Sequence, residues 1–295
     1  MRQQNISQRG VSALPWCGYA DDIILFLLND EGAQRALTLL NEVFKSMGLT
    51  INEKKTETMI VNCDDQEEYP DSVITLNGTP LKNTKLFKYS GSYIDAEDPN
   101  TGDAEVNHRI QIANAKFSEM TNLLQNYRIN LRTRVLFLNS FIRSRLTYSC
   151  QNWNINSAQL NRLDATYRNF LRRMIRGGFK FVDEKNNDFR LAINNERLHS
   201  ICGSEDVSNF IMKQQRNYAE HVVRMSTTRN VKLMLFNDDR YTRRGRPTKT
   251  LLEQVIEREN ITLDRFCKNA LSKKCEKSTP IVVCWGTLIL SLIHI

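Results

Sequence analysis

Carboxylates are missing from the first 18 residues of this chain, so none of these residues can supply an acidic ligand to a metal ion. Histidine is scarce. The four present, at 108, 199, 221 and 294, show no pairing at metal-ligand spacing. The seven cysteines, at 17, 63, 150, 202, 267, 275 and 284, are odd in number and contain no CxxC. They read as reduced thiols of an intracellular protein, without a disulfide frame or zinc finger. Cys267, Cys275, Cys284 and His294 fit no zinc-knuckle spacing. The N-terminus has no apolar signal core, which argues against secretion. The apolar run from Pro280 to Ile295 is shorter than a membrane span and has no anchor on its far side.

What is present is a globular composition, 41% hydrophobic and 25% charged over 295 residues, enough for one large domain or two ordinary ones. The net charge of +8 is unevenly spread. Residues 19–105 hold seven Lys/Arg against seventeen Asp/Glu, whereas residues 106–180 hold thirteen against two. Residues 216–250 hold nine against three. An acidic front that can hold cations is therefore followed by basic segments that can hold phosphates; the plainer alternative is a set of solvated faces.

The most informative stretch is Tyr19-Ala20-Asp21-Asp22 followed by Ile23-Ile24-Leu25-Phe26, a tight turn entering a buried strand. A carboxylate at the mouth of an apolar strand either neutralises or holds a metal. Phosphoryl-transfer enzymes that use two divalent ions about 4 Å apart need such ligands on rigid elements.

Downstream, Asn29 or Asp30 caps a helix with Ala36, Leu40, Val43 and Met47 at helical spacing, stopped by Gly48. Leu49 to Val61 reads as a hairpin-like return around a basic turn at Lys54 and Lys55. The acidic loop Asp64 to Asp71 reads as solvated, and Asn77-Gly78 predicts a type I′ turn. Leu86 to Ile94 is a strand-turn rich in aromatics.

From Val106 the apolar period lengthens to that of helices. Val106, Ile110, Ala113, Phe117, Met120 and Leu124 line one face, leaving Arg109 and Lys116 on the surface. A second helix starts near Thr133, with Leu138, Ile142 and Leu146 inward. A third, capped by Ser157, carries Leu160, Leu163, Tyr167, Phe170 and Met174 and stops at Gly177-Gly178. The three predict a bundle with a basic exterior, with Tyr148 and Trp153 as core aromatics. The polar stretch 180–204 reads as a linker, and Ser204 starts a helix with Val207, Ile211, Gln214, Tyr218, Val222 and Met225 on one face.

Four stretches in this order resemble the reverse transcriptases of non-LTR (LINE-type) retrotransposons. They are Tyr19-Ala20-Asp21-Asp22 as the catalytic hairpin, Lys54-Lys55-Thr56 as the next palm motif, Phe87 to Tyr93 as the primer grip, and the helices after Val106 as the thumb. Further matches are Arg143-Ser144-Arg145-Leu146-Thr147-Tyr148, Trp153 and Phe170-Leu171-Arg172-Arg173, with His221 to Met225 and Arg243 to Pro247 resembling the tail of the same proteins. The chain departs from the pattern at Cys17, Gly18 and Ser90, where larger apolar residues are usual.

The resemblance implies an α+β chain: a partial palm of antiparallel strands and one helix over 1–104, a helical thumb over 105–180 and a basic helical region over 181–279; the apolar tail over 280–295 is expected to be a truncated or frame-shifted end. It implies deoxynucleotide transfer to a primer 3′ hydroxyl, copied from RNA and assisted by two Mg2+ ions. Asp21 and Asp22 would be the metal ligands and catalytic carboxylates, with Lys55 donating a proton to the departing pyrophosphate; the alternative for Lys55 is a solvated turn lysine. Phe87, Lys88, Tyr89, Ser90, Gly91, Ser92 and Tyr93 would grip the primer. Arg143, Arg145, Arg168, Arg172, Arg173, Arg176, Arg243, Arg244 and Arg246 would contact nucleic acid. The implied partners are an RNA template, a DNA primer and deoxynucleoside triphosphates, with no membrane and no clear protein partner, in an intracellular and nuclear setting. Because no carboxylate precedes Asp21, the resemblance also implies a C-terminal portion lacking the fingers and first half of the palm. The competing expectation is a catalytically inactive remnant that binds RNA or DNA without sequence preference.

Overall fold

The computed structural model describes residues 7–8, 11–12, 16–61, 74–96, 102–176, 179–183, 188–191, 193–236, 249–272 and 292–294. The chain is α+β and divides into two compact units: Met1–Asn100 with Met225–Thr248 and Cys284–Ile295, and Thr101–Arg224 with Lys249–Val283. Among the described residues no helix is long and apolar enough to cross a membrane.

The first unit is built on short strands. Strands β1 (Trp16–Tyr19) and β2 (Asp22–Leu25) form an antiparallel hairpin. Helix α1 (Asp30–Ser46) follows, its Asn29 cap accepting the Gly32 N–H at 2.8 Å. Ala33, Leu37, Leu40 and Phe44 face the small core containing Ile51, Ile74, Leu76 and Leu81. That stripe is rotated from the expected one, since Val43 and Met47 are exposed. Gly48 takes the left-handed φ of +78° that ends the helix.

The return over 49–61 is not a hairpin. A turn at 53–55 leads into β3 (Glu57–Thr58), which pairs in parallel with β4 (Lys82–Asn83). The strand Leu292–His294 lies between β2 and β3, antiparallel to both, completing a five-stranded sheet. Asn77 and Gly78 both have positive φ, as the type I′ turn demands. A second hairpin, β5 (Leu86–Tyr89) with β6 (Ser92–Asp95), packs on a cluster that includes Ile24 and Met59.

The second unit is mostly helical. It contains α2 (Asp103–Glu119), α3 (Leu131–Phe137) running into a π-helix at Leu138–Arg143, and α4 (Ser157–Ile175). Asn156, rather than Ser157, caps α4 through a reciprocal pair with Gln159. The stretch expected as a linker instead forms a hairpin, β7 (Phe179–Asp183) with β8 (Asp188–Leu191), then α5 (Asn195–Cys202). Helix α6 (Val207–Arg224) packs against α4, and α7 (Leu251–Glu259) and α8 (Leu263–Ser272) pack against α6. One connected core runs from Val106 through Phe117, Leu163 and Phe170 to Ile211.

Candidate catalytic hairpin and nucleic-acid interface

In the first unit the β1–β2 register pairs Tyr19 with Asp22 and Cys17 with Ile24, so the loop between the strands is only Ala20-Asp21. Ala20 adopts φ +54°, a left-handed conformation that costs a non-glycine residue about 1–2 kcal/mol. This turn places Asp21 at an exposed tip and makes Asp22 the first residue of β2, half-buried. The incoming strand pairs along its whole length, Gly18 included. A Cβ there would meet the Trp16 ring at 3.4 Å, an ordinary contact.

The second hairpin repeats the plan. Its register pairs Tyr89 with Ser92 and Lys88 with Tyr93 around a Ser90-Gly91 loop with φ values of +47° and +84°. Ser90 thus sits in a left-handed turn position. Phe87 and Tyr89 fill that core, together with Ile24, Met59, Ala96 and Cys17. Burial pushes the Cys17 thiol up in pKa, and a hydrogen bond with Tyr89 partly offsets this; the contact joins β1 to β5. Lys88 is exposed with its ammonium 5.7 Å from the Tyr93 ring centroid. Ser92 Oγ is buried without a partner among the described residues.

Lys55 is exposed in the turn before β3, and its backbone N–H donates to the Asn52 side chain at 3.2 Å. Thr56 Oγ1 donates to the Asn52 carbonyl at 2.8 Å. Asn52 therefore shapes this turn, a role that the Asn-x-x-Lys spacing can signal and that sequence reasoning missed. Among the described residues no group of three or more His, Cys, Asp or Glu side chains is arranged to hold a metal. The donor set at the hairpin is the Asp21–Asp22 pair.

In the second unit the arginines divide sharply. Arg109, expected on the surface, is buried: its Nε donates to Glu105 at 2.6 Å and its guanidinium lies 4.5 Å from the Tyr148 ring centroid. Arg134 donates to the carbonyls of Ile129, Leu124 and Met174 at 2.9–3.2 Å, where helix C-terminal ends favour a cation. Arg168 pairs with Asp206 at 2.6 Å, and Arg172 donates to Asn195 at 2.6 Å. Arg173 lies 4.2 Å from the Phe117 ring and Arg143 4.5 Å from the Phe210 ring. Arg145 donates to the Phe141 carbonyl from the π-helical segment. Arg176 is exposed and ends α4 in the left-handed conformation, with φ +56°. Arg243, Arg244 and Arg246 lie outside the described residues.

A buried polar network was also missed. Gln215, rather than the predicted Gln214, is buried; it donates to the Trp153 carbonyl at 2.9 Å and accepts from Arg258 at 2.5 Å. Helical spacing admitted either glutamine, and only the packing of α7 on α6 chooses between them.

The two hairpins over a shared core, one carrying adjacent aspartates, form the candidate site of the first unit. Residues 2–94 match the family described as reverse transcriptase (RNA-dependent DNA polymerase). The chain is also 26% identical over 252 residues to a transposon-derived protein of Caenorhabditis elegans, covering 82% of this chain and 85% of that one. The first third of the chain is thus similar to reverse transcriptases, and most of its length to a transposon-derived protein. No solved structure matches the chain.

Proposed function

We propose that the first unit carries the Asp-Asp and primer-grip half of a LINE-type reverse transcriptase palm, and that residues 105–180 are its thumb and 181–279 its basic tail. The observation that carries this reading is the common core of Cys17, Ile24, Phe87 and Tyr89, which holds the aspartate-bearing hairpin and the 86–95 hairpin on one base. The reaction of such a site is attack of a primer 3′ hydroxyl on the α-phosphate of a deoxynucleoside triphosphate, directed by an RNA template, with pyrophosphate leaving. Asp21 and Asp22 would hold a divalent ion, Mg2+ by family, which supplies charge neutralisation when bound. Two carboxylates fit one such ion; the two-ion arrangement needs a further acidic ligand. Lys55 would serve the departing pyrophosphate as a mobile donor. The same reading gives the protein an RNA template and DNA primer as partners and a nuclear setting.

A second reading keeps only the charge of the helical unit, where residues 106–180 hold thirteen Lys/Arg against two Asp/Glu: a protein that binds RNA or DNA without sequence preference and does not polymerise. Primer extension with Mg2+ separates the two, comparing the chain with Asp21→Ala. Extension that is abolished by the substitution supports the enzyme; no extension, with salt-sensitive binding unchanged in the variant, supports the binder.

A further inference from the structure

We propose that the second unit binds single-stranded nucleic acid at the corner formed by the loop before α3 and the exposed side of α3, with Tyr127 stacking on an unpaired base and Arg128 and Arg132 holding the flanking phosphates. This rests on the nucleic-acid reading above and adds to it a site made of residues distinct from the arginines first expected to make that contact.

Charge is the first observation. From Met120 to Leu163 the chain contains no Asp or Glu, yet Arg128, Arg132, Arg134, Arg143, Arg145 and Arg162 all fall in this stretch. Four of them are engaged by the protein: Arg134 and Arg145 by carbonyls, Arg143 by the Phe210 ring, and Arg162 by Asp103 at 3.0 Å. Arg128 and Arg132 are exposed, and neither guanidinium has a partner among the described residues. The nearest acid in sequence, Glu119, is paired with Lys116 at 2.6 Å. The attraction of the two free cations for an outside anion is therefore not cancelled locally.

The second observation is an aromatic ring in water on a fixed base. Tyr127, next to Arg128, is 80% exposed. The loop that carries it is pinned on several sides. Arg134 donates to the carbonyls of Leu124 and Ile129 at 3.2 and 3.1 Å, Gln125 donates to the Arg173 carbonyl at 3.1 Å, and the Arg128 N–H donates to the Asn126 side chain at 3.0 Å. A ring presented on an ordered loop loses little freedom when a base stacks on it, and stacking accepts any base because every base has a π-face.

The third observation is the space beside these groups. Arg132 also lines an open cleft of about 360 Å³, together with Thr133, Val135, Leu136 and Asn139. Leu136 gives it an exposed apolar wall. Asn139 accepts the Tyr167 hydroxyl at 2.6 Å through Oδ1, while its Nδ2 has no partner among the described residues and is left to donate. An unpaired nucleotide supplies the matching chemistry: a flat face, an acceptor edge and a phosphate on either side. A base inside a duplex has its faces and edge already occupied, so the corner suits single strands. RNA and DNA share this chemistry.

The test uses the full chain, Tyr127→Ala, Tyr127→Phe and an Arg128→Gln/Arg132→Gln double variant, titrated by fluorescence anisotropy against a short oligo(rU), a short oligo(dT) and a short RNA–DNA duplex over a salt series. Tyr127→Ala should weaken single-strand binding by roughly 5- to 150-fold and leave duplex binding unchanged, whereas Tyr127→Phe should bind as the parent does. The double variant should lower the steepness of log K against log salt on the single strands by about 1.4. A larger loss on oligo(rU) assigns the site to RNA, a larger loss on oligo(dT) to DNA, and equal losses to either; all three support it. Unchanged single-strand affinity in Tyr127→Ala, an unchanged slope in the double variant, or an equal loss on the duplex, with the parent binding, overturns the proposal alone. A parent that binds none of the probes overturns it together with the reading beneath it. Because these side chains have no partner within the fold, the variants should melt with the parent. A clear fall in melting temperature would give them a structural role and would also overturn the proposal.

Discussion

The helical unit is organised on one connected core, whereas the strand unit divides its apolar residues between two small clusters, one under α1 and one under the two hairpins. The difference extends to charge. In the helical unit most of the arginines expected to face nucleic acid hold carbonyls, carboxylates or aromatic rings of the protein itself. In the strand unit Asp21 and Lys55, the side chains with the most direct chemical meaning, sit exposed in turns. A thick core thus accommodates buried ionic groups, while a thin one presents its polar groups to solvent. The charge count of residues 106–180 consequently overstates the positive surface available to a ligand.

The largest expected effect tests whether the helical unit depends on such internal charge. Glu105→Ala would leave Arg109 buried against Tyr148 without its carboxylate. Removing one partner of a buried pair typically costs about 3–5 kcal/mol. Urea unfolding monitored by helical circular dichroism should show a loss of that order. A loss below about 1 kcal/mol would mean that Arg109 reaches water, and the contrast between the units would weaken.

Much of the fold was legible in the residues, and the failures have physical causes. The Asn29 cap, the Gly48 stop and the Asn77-Gly78 turn are local devices, set by side chains acting within four residues of themselves, and the structure contains each. The 179–191 hairpin was hidden because its signal, Phe179 and Phe181 against Phe189 and Leu191, lies in two short runs separated by polar residues. Arg109 was misplaced because helical spacing assigns it a face without showing that Tyr148 and Glu105 close over it. At the candidate site the aspartate turn itself was readable. Its dependence on Tyr89, some seventy residues later, is a tertiary fact with no trace in local pattern.

A smaller effect probes the strand unit at its most strained point. Ala20→Gly should relieve the left-handed conformation, offset by the greater freedom of glycine in the unfolded chain, for a net gain of about 0.5–1 kcal/mol. Amide exchange of β1 and β2 should slow accordingly. If exchange is unchanged or faster, the turn gains more from the alanine methyl than it loses in backbone energy, and the hairpin is less strained than its φ implies.

The smallest effect separates the units by pH. Burial first, and then Arg224, lowers the pKa of His221 on α6, whereas in the strand unit, among the described residues, the shifted group is the Cys17 thiol, raised and therefore titrating on the alkaline side. For His221 the unfolded chain binds the proton more readily than the folded one. Stability is therefore flat above the unfolded value of about 6.5 and falls as pH drops below it. The urea midpoint of the helical transition should drift downward between about pH 7.5 and about pH 5.5, and His221→Gln should reduce that drift without changing the midpoint at the upper end. An equal drift in parent and variant would assign the acid sensitivity to other groups, and His221 would no longer distinguish one unit from the other.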